Sequence, residues 1–311
     1  MSKKVLITGA SGMVGHYLVQ KCMDRGYEVR ATDLRYNEIF DKYVENRFNF
    51  VQTDLRNFEE CKKVVKDIDV VFHVAGIKGS PKRAMEQPND FFTPLLQFNT
   101  NMMEAARLEE VEWYVYTSTN GVYAPADRMR EDDVWKSFPS NNDKFAGWAK
   151  RIGELQAECY KVHYGQRNIS IVRPANIFGK GDNFGEGSMV IPSIIKRICD
   201  GENPLVCWGD GTPIRDFIYV SDVVDGILLC YDKGIIEPIN LGSGKGFTIK
   251  ELVETIVNVY GKDVPIEWDS TKPNGDPIRL MDTTRARGYG FHPTVSLSDG
   301  IKEVMDYYNG I

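Results

Sequence analysis

The 311-residue sequence predicts an α/β fold, in which a doubly wound parallel sheet is followed by a smaller mixed α/β lobe. Over the first 175 residues, short apolar runs alternate with segments of helical spacing, which is typical of parallel strands joined by covering helices. Later elements are shorter, and residues 176–187 form a glycine-rich, loop-like stretch. We therefore expect two parts, residues 1–175 and residues 176–311, with some exchange of strands between them.

The first half opens with a predicted strand–helix–strand unit. Apolar residues 5–7 predict a strand, residues 16–25 have helical spacing and stop at Gly26, and residues 27–31 predict the next strand. Further strands are predicted at 48–51, 70–73, 113–117 and 169–172, and further helices at 58–66, 99–108 and 145–164.

The second half is less regular. Residues 191–199 predict a helix, residues 205–208 and 217–220 predict strands, and a further helix is predicted from Asp222. Thr248 and Glu251 have the spacing of a capping box, which predicts that another helix begins there.

The composition narrows the classes of function. A net charge of -6 argues against a nucleic-acid surface, but local arginines and helix N-termini can still bind phosphate groups. The six cysteines contain no Cys-x-x-Cys pair and are expected to be reduced thiols of a cytoplasmic protein. The first residues predict a strand rather than a signal peptide, and no apolar stretch approaches the ~18 residues of a membrane helix. We expect no metal, no membrane and no nucleic-acid partner.

A glycine motif lies where the first predicted strand meets the first helix. Gly9, Gly12 and Gly15 have the spacing that allows the backbone to turn sharply and approach a pyrophosphate. The helix N-terminus then supplies unpaired N–H groups and a partial positive charge. The motif predicts a dinucleotide site.

Asp33 ends the second predicted strand and bears on the type of cofactor. A carboxylate there accepts hydrogen bonds from both adenosine ribose hydroxyls but repels a 2′-phosphate, which favours NAD over NADP. Arg30 and Arg35 lie nearby and leave NADP open as the alternative.

Several motifs occur in an order that resembles a known family. After the glycine motif come Asp54-Leu55, Asn99, the segment 117–119, Lys150 and the segment 173–176. This order resembles the extended short-chain dehydrogenases/reductases, and within them the NAD-dependent epimerase/dehydratase family that acts on nucleotide sugars. The resemblance implies a Rossmann fold and a cofactor site that comprises Gly9, Ser11, Gly12, Met13, Val14, Gly15, Asp33, Leu34, Asp54, Leu55, Val74, Ala75, Gly76, Asn99, Thr117, Lys150, Arg173 and Asn176.

The reacting centre departs from that family in one residue. Segment 146–150 resembles the family's Tyr-x-x-x-Lys signature, but Ala146 stands at the tyrosine position and only Lys150 is kept. The resemblance makes Thr119 the residue that hydrogen-bonds the reacting sugar oxygen. Neither Phe145 nor Trp148 can replace the tyrosine as an acid or base.

Two interpretations of Ala146 stay open. It is either a substitution that disables an ordinary site, or the mark of a protein that works differently. In the first case, restoring tyrosine should raise turnover ~10²–10⁴-fold. In the second, the protein uses a water or a substrate hydroxyl, or it is a non-catalytic regulatory protein that binds NAD and a nucleotide sugar.

Side chains that this chain lacks distinguish between the subclasses of the family that it resembles. The 4,6-dehydratases carry an Asp-Glu pair where this chain has Asn120 and Gly121, so dehydration is a disfavoured alternative. Segments 185–192 and 208–217 resemble the GDP-fucose synthases, but the cysteine and histidine that those enzymes need correspond to Gly121 and Met189. Oxidation, reduction or epimerisation at one sugar carbinol, C4, is the expected chemistry.

The second half is expected to bind a nucleotide sugar, with a GDP-sugar favoured by the resemblance. Arg215 and Arg279 are placed to clamp a diphosphate bidentately. The resemblance also implies a homodimer and a role in polysaccharide biosynthesis. The expected substrate-binding residues are Lys78, Thr119, Asn120, Tyr123, Asn176, Met189, Val190, Trp208, Arg215 and Arg279.

Overall fold

The computed structural model describes residues 2–43, 47–77, 79 and 81–310. Lys78, one of the expected substrate-binding residues, lies outside them. The strands are β1 (Lys4–Thr8), β2 (Glu28–Asp33), β3 (Phe48–Gln52), β4 (Val70–His73), β5 (Trp113–Thr117), β6 (Ile169–Pro174), β7 (Asn176–Phe178), β8 (Leu205–Trp208), β9 (Ile214–Arg215), β10 (Phe217–Tyr219), β11 (Ile239–Leu241), β12 (Phe247–Thr248), β13 (Ile266–Asp269) and β14 (Ile278–Arg279). The helices are α1 (Met13–Asp24), α2 (Phe58–Val65), α3 (Pro81–Glu86), α4 (Asn89–Leu108), α5 (Lys144–Tyr164), α6 (Val190–Cys199), α7 (Val220–Asp232), α8 (Ile249–Tyr260), α9 (Thr284–Gly288) and α10 (Leu297–Asn309).

The largest sheet has seven parallel strands in the order β11-β6-β5-β4-β1-β2-β3. Val5 of β1 is paired with Val29 of β2 on one side and with Val70 of β4 on the other. The strand order therefore reverses at β1, and the crevice at the carboxyl ends of β1 and β4 is where such sheets bind ligands. This is the α/β Rossmann fold that the sequence predicts.

Both faces of the sheet are covered. Val5 and Ile7 of β1 belong to an apolar cluster that includes residues of α1 and α7, whereas Leu6 belongs to a cluster that includes residues of α2, α4 and α5. Successive side chains of a strand point to opposite faces, so one apolar run can serve both cores.

The part of the chain after residue 175 contributes to both halves of the fold. It forms small sheets from β10 and β7, from β12, β9 and β14, and from β13 and β8, with a third apolar cluster that includes residues of α6, α8 and α10. In contrast, β11 pairs with β6 in the main sheet. The boundary at residue 175 stays a prediction.

Two elements differ from the sequence prediction. Helix α4 begins at Asn89 rather than at residue 99 and contains Pro94, because Phe91, Leu95 and Phe98 recur at helical spacing and are buried. The stretch 176–187, expected to be a loop, begins with β7, which pairs with β10.

A buried ion pair joins helix α5 to strand β6. The Arg173 guanidinium donates to both carboxylate oxygens of Glu154, with Nη2–Oε2 at 2.7 Å and Nε–Oε1 at 3.0 Å. The two side chains are 1% and 2% exposed. Ser118 Oγ donates to Glu154 Oε1 at 2.6 Å, so the loop after β5 is tied to the same carboxylate.

Replacing Glu154 by alanine is expected to lower the free energy of unfolding by about 3–5 kcal/mol, because the Arg173 charge stays buried without its partner. Urea denaturation measures this. The control, Asp306→Ala, removes the exposed partner of Lys302 and should change the value by less than about 0.5 kcal/mol. Equal effects of the two substitutions would contradict the structural role of the buried pair.

Candidate active site

The glycine motif forms the turn between β1 and α1. Gly9 has φ +66°, and a Cβ there would lie 2.7 Å from Ala75 Cα; a Cβ on Gly15 would lie 2.1 Å from the Gly9 carbonyl oxygen. Only glycine permits this packing. Gly12 is the N-cap of α1 and provides no side-chain cap, and the first turn, from Met13 and Val14 onward, has no acidic residue. The N-terminal end of α1 is thus suited to an anionic group.

Asp33 lies next to this turn, at the carboxyl end of β2. Its Oδ2 accepts from Ser11 N at 3.1 Å and its Oδ1 accepts from Leu34 N at 2.7 Å. These contacts place a carboxylate beside the anion-binding turn, where it can accept from ribose hydroxyls and repel a 2′-phosphate.

Asp54 and Leu55 follow β3 on the same edge of the sheet. Asp54 is bonded to Arg56, with Nη2–Oδ2 at 2.5 Å, and this contact lowers the pKa of the carboxyl. Leu55 is buried in the cluster beneath α2 and α4. The Asp54 carboxylate is therefore already partnered by a neighbouring side chain.

A buried chain of polar groups runs from β1 to helix α5. Thr8 Oγ1 lies 2.8 Å from His73 Nδ1, and His73 Nε2 lies 2.9 Å from Asn99 Oδ1. Since Asn99 Oδ1 can only accept, Nε2 carries the proton and Thr8 donates to Nδ1. Burial, reinforced by the Lys150 charge, lowers the pKa of His73 to about 3, so its imidazole is neutral.

Lys150 ends this chain of polar groups. Its Nζ donates to Thr117 O at 2.8 Å and lies 3.5 Å from Asn99 Oδ1. Burial lowers its pKa to about 7, although the nearby Glu154 charge opposes the shift. An ammonium that is easily deprotonated thus lies at the carboxyl end of β5.

Two buried polar atoms beside Lys150 have no protein partner within the described residues: Asn99 Nδ2 and Thr117 Oγ1. Buried polar groups without a partner are uncommon in folded proteins, and a bound ligand can satisfy them. Together with the open N-terminus of α1 and the carboxylate of Asp33, they fit a dinucleotide that lies across the end of the sheet. Val74, Ala75 and Gly76 follow β4 along the same edge.

Ala146 lies one helical turn before Lys150 on α5 and packs against the cluster beneath that helix. It lines a pocket of about 150 Å³ together with Phe91, Asp143 and Phe145. A methyl group supplies no proton donor or acceptor. Thr119, at the end of β5, directs Oγ1 to the Gly121 N–H at 3.2 Å and caps the short turn that follows.

Some expected site residues have other partners. The hydroxyl of Tyr123 donates to Asn240 Oδ1 at 2.6 Å inside the core, and Arg173 directs its guanidinium to Glu154, Tyr123 and a backbone oxygen. Asn176 Nδ2 donates to Asp216 O at 2.8 Å. Burial and pairing direct the side chains of Tyr123 and Arg173 into the protein, and their contact with ligands stays a prediction.

The other expected substrate contacts lie in different parts of the structure. Asn120 is buried in the short turn after Thr119. Met189 is the N-cap residue of α6, Val190 is the first residue of that helix, and Trp208 on β8 is 58% exposed. These positions do not form one cluster with Lys150 in the described contacts.

The two predicted clamp arginines are neighbours. Arg215 and Arg279 are paired positions of the parallel strands β9 and β14. Burial, together with the Arg279 charge, lowers the pKa of Arg215 to about 10. Arg279 is bound to Asp276, with Nη2–Oδ2 at 2.5 Å, and forms an ion pair with Asp143. Arg279 is thus already paired with two carboxylates, whereas Arg215 Nη1 donates to the Ile214 carbonyl oxygen at 2.8 Å.

Asp143 was missed by sequence reasoning, which considered only aromatic and hydroxyl replacements for the tyrosine. The signal was an acidic residue directly before helix α5. The structure places it beside Ala146, Gly121 and Arg279.

Comparisons with known proteins agree with this architecture. Residues 5–242 match the model of the NAD dependent epimerase/dehydratase family, which covers more than half of the chain. The chain belongs to this family. Its cofactor is NAD.

Individual relatives cover almost the whole chain. GDP-L-fucose synthase 1 of Arabidopsis thaliana is 30% identical over 99% of this chain and 93% of its own length. A dTDP-4-dehydro-6-deoxy-D-allose reductase of Streptomyces sp is 29% identical over 98% and 96%. UDP-glucuronic acid 4-epimerase of Bacillus cereus, solved with UDP-glucuronic acid and NAD, is 26% identical with a TM-score of 0.86, covering 99% of both chains.

Within the described residues, no helix has the length and apolar character that crossing a membrane requires. The same part of the chain contains no group of His, Cys, Asp and Glu residues arranged to hold a metal ion.

Replacing Lys150 by methionine is expected to flatten the rise in stability between pH 7 and pH 10. In the folded protein the pKa of Lys150 is about 7, below its ordinary value of 10.5, so the unfolded chain binds more protons in that window. The contribution of Lys150 to the free energy of unfolding therefore rises with pH across this window, and this contribution is what the substitution removes. Urea denaturation at several pH values measures the effect. The control Lys302→Met replaces an exposed lysine and should leave the pH profile of the free energy of unfolding as it is in the unmodified protein. If Lys150→Met gave a profile parallel to that of the unmodified protein, the burial argument would be contradicted.

Proposed function

We propose that this chain is an NAD-dependent nucleotide-sugar oxidoreductase or epimerase that moves a hydride at one sugar carbinol, C4. The observation that carries the proposal is the arrangement of Lys150, Asn99 and Thr117 at the end of the sheet, with unpartnered polar atoms beside a buried amine. Lys150 and Asn99 would hold the nicotinamide ribose, and bound NAD would supply hydride chemistry.

The adenosine end would lie between the glycine turn and Asp33. The first turn of α1 would face the pyrophosphate, since it has no side-chain cap and no acidic residue. Asp33, held by Ser11 N and Leu34 N, would accept from the ribose hydroxyls.

The substrate proposal rests on the neighbouring arginines. Arg215 and Arg279 would bind the diphosphate of a nucleotide sugar, and Arg215 has no carboxylate partner among its described contacts. The names of the relatives include GDP-, UDP- and dTDP-linked sugars. We favour a GDP-sugar, because the segments 185–192 and 208–217 resemble the fucose synthases.

Chemistry at a single carbinol is favoured over the alternatives. Asn120 and Gly121 offer no acid–base pair for water loss, which disfavours a 4,6-dehydratase. Gly121 and Met189 likewise offer no groups for a double epimerisation. Thr119 would orient the reacting oxygen.

A non-catalytic protein that binds NAD and a nucleotide sugar is the second candidate, and Ala146 is the observation that favours it. The two are separated by incubating the protein with NAD and GDP-, UDP- or dTDP-hexoses. Absorbance of NADH and mass spectrometry of the sugar then report conversion. Binding of both ligands without any conversion would favour the non-catalytic candidate.

Assembly as a homodimer is part of the proposal. Helix α5 exposes Ile152 and Leu155, which are 37% and 48% exposed. A second copy would cover these side chains through α4 and α5.

Replacing Arg215 by methionine is expected to weaken binding of a nucleoside diphosphate sugar at least ~tenfold, because a charge-assisted contact to the diphosphate is lost. Isothermal titration calorimetry with GDP-mannose, UDP-glucose and dTDP-glucose measures it, and the Kd of NAD should not change. The control is Arg128→Met, an exposed arginine outside the site. Unchanged sugar-nucleotide affinity in Arg215→Met would refute the clamp.

A further inference from the structure

A carboxylate lies beside the position where the catalytic hydroxyl is missing. Asp143 immediately precedes helix α5 and lines the same pocket as Ala146. A Cβ placed on Gly121 would lie 3.2 Å from Asp143 Cγ and 3.4 Å from Thr119 Cγ2. The Asp143 carboxyl and Thr119 therefore flank the bare face of Gly121.

The Asp143 side chain is not used by the helix that it precedes. Although Asp143 is the N-cap residue of α5, its carboxylate makes no capping hydrogen bond. A capping carboxylate usually accepts from the first turn of its own helix. Here it turns instead toward Gly121 and toward Arg279, which reaches it from the smaller lobe.

The partners of Asp143 are themselves fixed. Arg279 is also bound to Asp276, whose other contacts are Ser140 Oγ at 2.6 Å and Asn142 Nδ2 at 2.7 Å. The segment before α5 and strand β14 are thereby locked together. The carboxylate is held in place but stays 30% exposed, so a ligand in the pocket can reach it.

We propose that Asp143 is a catalytic residue of this site and accepts the proton of the sugar carbinol in place of a hydroxyl at position 146. This inference rests on the proposed function. In the oxidising direction, the carbinol O–H bond breaks and its proton passes to a carboxylate oxygen of Asp143. The carbinol carbon gives its hydrogen, with the bonding electron pair, to the nicotinamide of NAD⁺. The alcohol becomes a ketone and NAD⁺ becomes NADH, so atoms and electrons balance.

The location of Gly121 matters for this chemistry. Any side chain at that position would come within 3.2 Å of Asp143 and would separate the carboxylate from Thr119. Glycine keeps this space free of a side chain, with the Asp143 carboxyl and the Thr119 Cγ2 methyl at its border, and the Thr119 hydroxyl accepts from the Gly121 N–H. A general base must lie within hydrogen-bond reach of the proton that it takes, and the Asp143 carboxylate borders this space.

Rescue by tyrosine tests the assignment. Asp143→Asn is expected to lower kcat ~10²–10⁴-fold with little change in KM, because the amide cannot accept the proton. In that background, Ala146→Tyr should restore activity at least ~tenfold, since the phenol returns next to Lys150. In the unmodified background, the same Ala146→Tyr substitution should change kcat far less, because a proton acceptor is already present.

The matched control is Asp276→Asn, which removes the other carboxylate partner of Arg279; Asp276 does not itself line the pocket beside Ala146 but bonds Asn142, which does. The kcat of Asp276→Asn should fall much less than that of Asp143→Asn. Adding Ala146→Tyr to Asp276→Asn should not restore the part of kcat that is lost. Calorimetric Kd values for NAD and GDP, and the Tm of each variant, show whether ligand binding and folding are kept.

The possible results distinguish a failure of the role proposed for Asp143 from a failure of the proposed nucleotide-sugar activity. The role of Asp143 alone would be overturned if Asp143→Asn kept kcat within ~threefold of the unmodified protein. It would also be overturned if Asp143→Asn lost activity that Ala146→Tyr cannot rescue, while Tm and Kd stay unchanged. An unmodified chain that binds its ligands but turns over only after Ala146→Tyr would do the same. A chain that binds no nucleotide sugar and converts none would overturn the proposed function as well.

Discussion

The buried ion pair between Glu154 and Arg173 is the interaction on which the reacting end of the molecule depends. Glu154 lies one turn after Lys150 on α5, and Arg173 lies on β6, so the pair sets the position of the helix against the sheet. Ser118 binds the same carboxylate and ties in the loop that carries Thr119. Two desolvated charges are tolerated here because they satisfy each other with a bidentate contact and further hydrogen bonds.

The second constraint is the close approach of three backbones at the end of β1. Gly9 and Gly15 remove the side chains that would keep the turn, α1 and the segment after β4 apart. Because the strand order reverses at β1, the same edge of the sheet gathers Asp33, Asn99 and Lys150 from elements far apart in the chain. Asn99 Nδ2 and Thr117 Oγ1, which have no partner among the described residues, then lie where a cofactor can satisfy them. The close backbone approach that Gly9 and Gly15 allow therefore serves both the packing of this edge and the binding of a ligand there.

The sequence predicted the parallel sheet, the glycine turn and the NAD cofactor, because these depend on local patterns: apolar runs of strand length and glycines at fixed spacing. It predicted this helix only over residues 99–108, because the burial of Phe91 and Leu95, which accompanies the extension of α4 back to Asn89, depends on packing. It also predicted that Tyr123 and Arg173 contact ligands, which stays a prediction. What it did not predict are their partners within the protein: Tyr123 donates to Asn240, which is distant in sequence, and Arg173 is paired with Glu154 through the packing of α5 against β6. Asp143 was missed for the same reason, since its importance comes from Arg279 and Gly121.

Ala146 leaves the position one helical turn before Lys150 without a proton donor or acceptor. Lys150 retains its backbone and Asn99 contacts, but no phenol lies one turn before it, and the pocket opens instead onto a carboxylate held by an arginine of the smaller lobe. If Arg215 and Arg279 bind the diphosphate as proposed, Arg279 and Asp143 connect that site to the pocket beside Ala146. In this account, one arginine serves both the substrate's phosphates and the group that receives its proton.

A crystal structure of the protein with NAD and a nucleoside diphosphate hexose would test the account most directly. We expect the pyrophosphate of NAD at the first turn of α1 and its nicotinamide ribose within hydrogen-bond distance of Lys150 Nζ. We also expect the sugar diphosphate between Arg215 and Arg279, and a sugar hydroxyl between Thr119 and Asp143. A diphosphate bound away from both arginines, or a sugar whose hydroxyls do not approach Asp143, would contradict it.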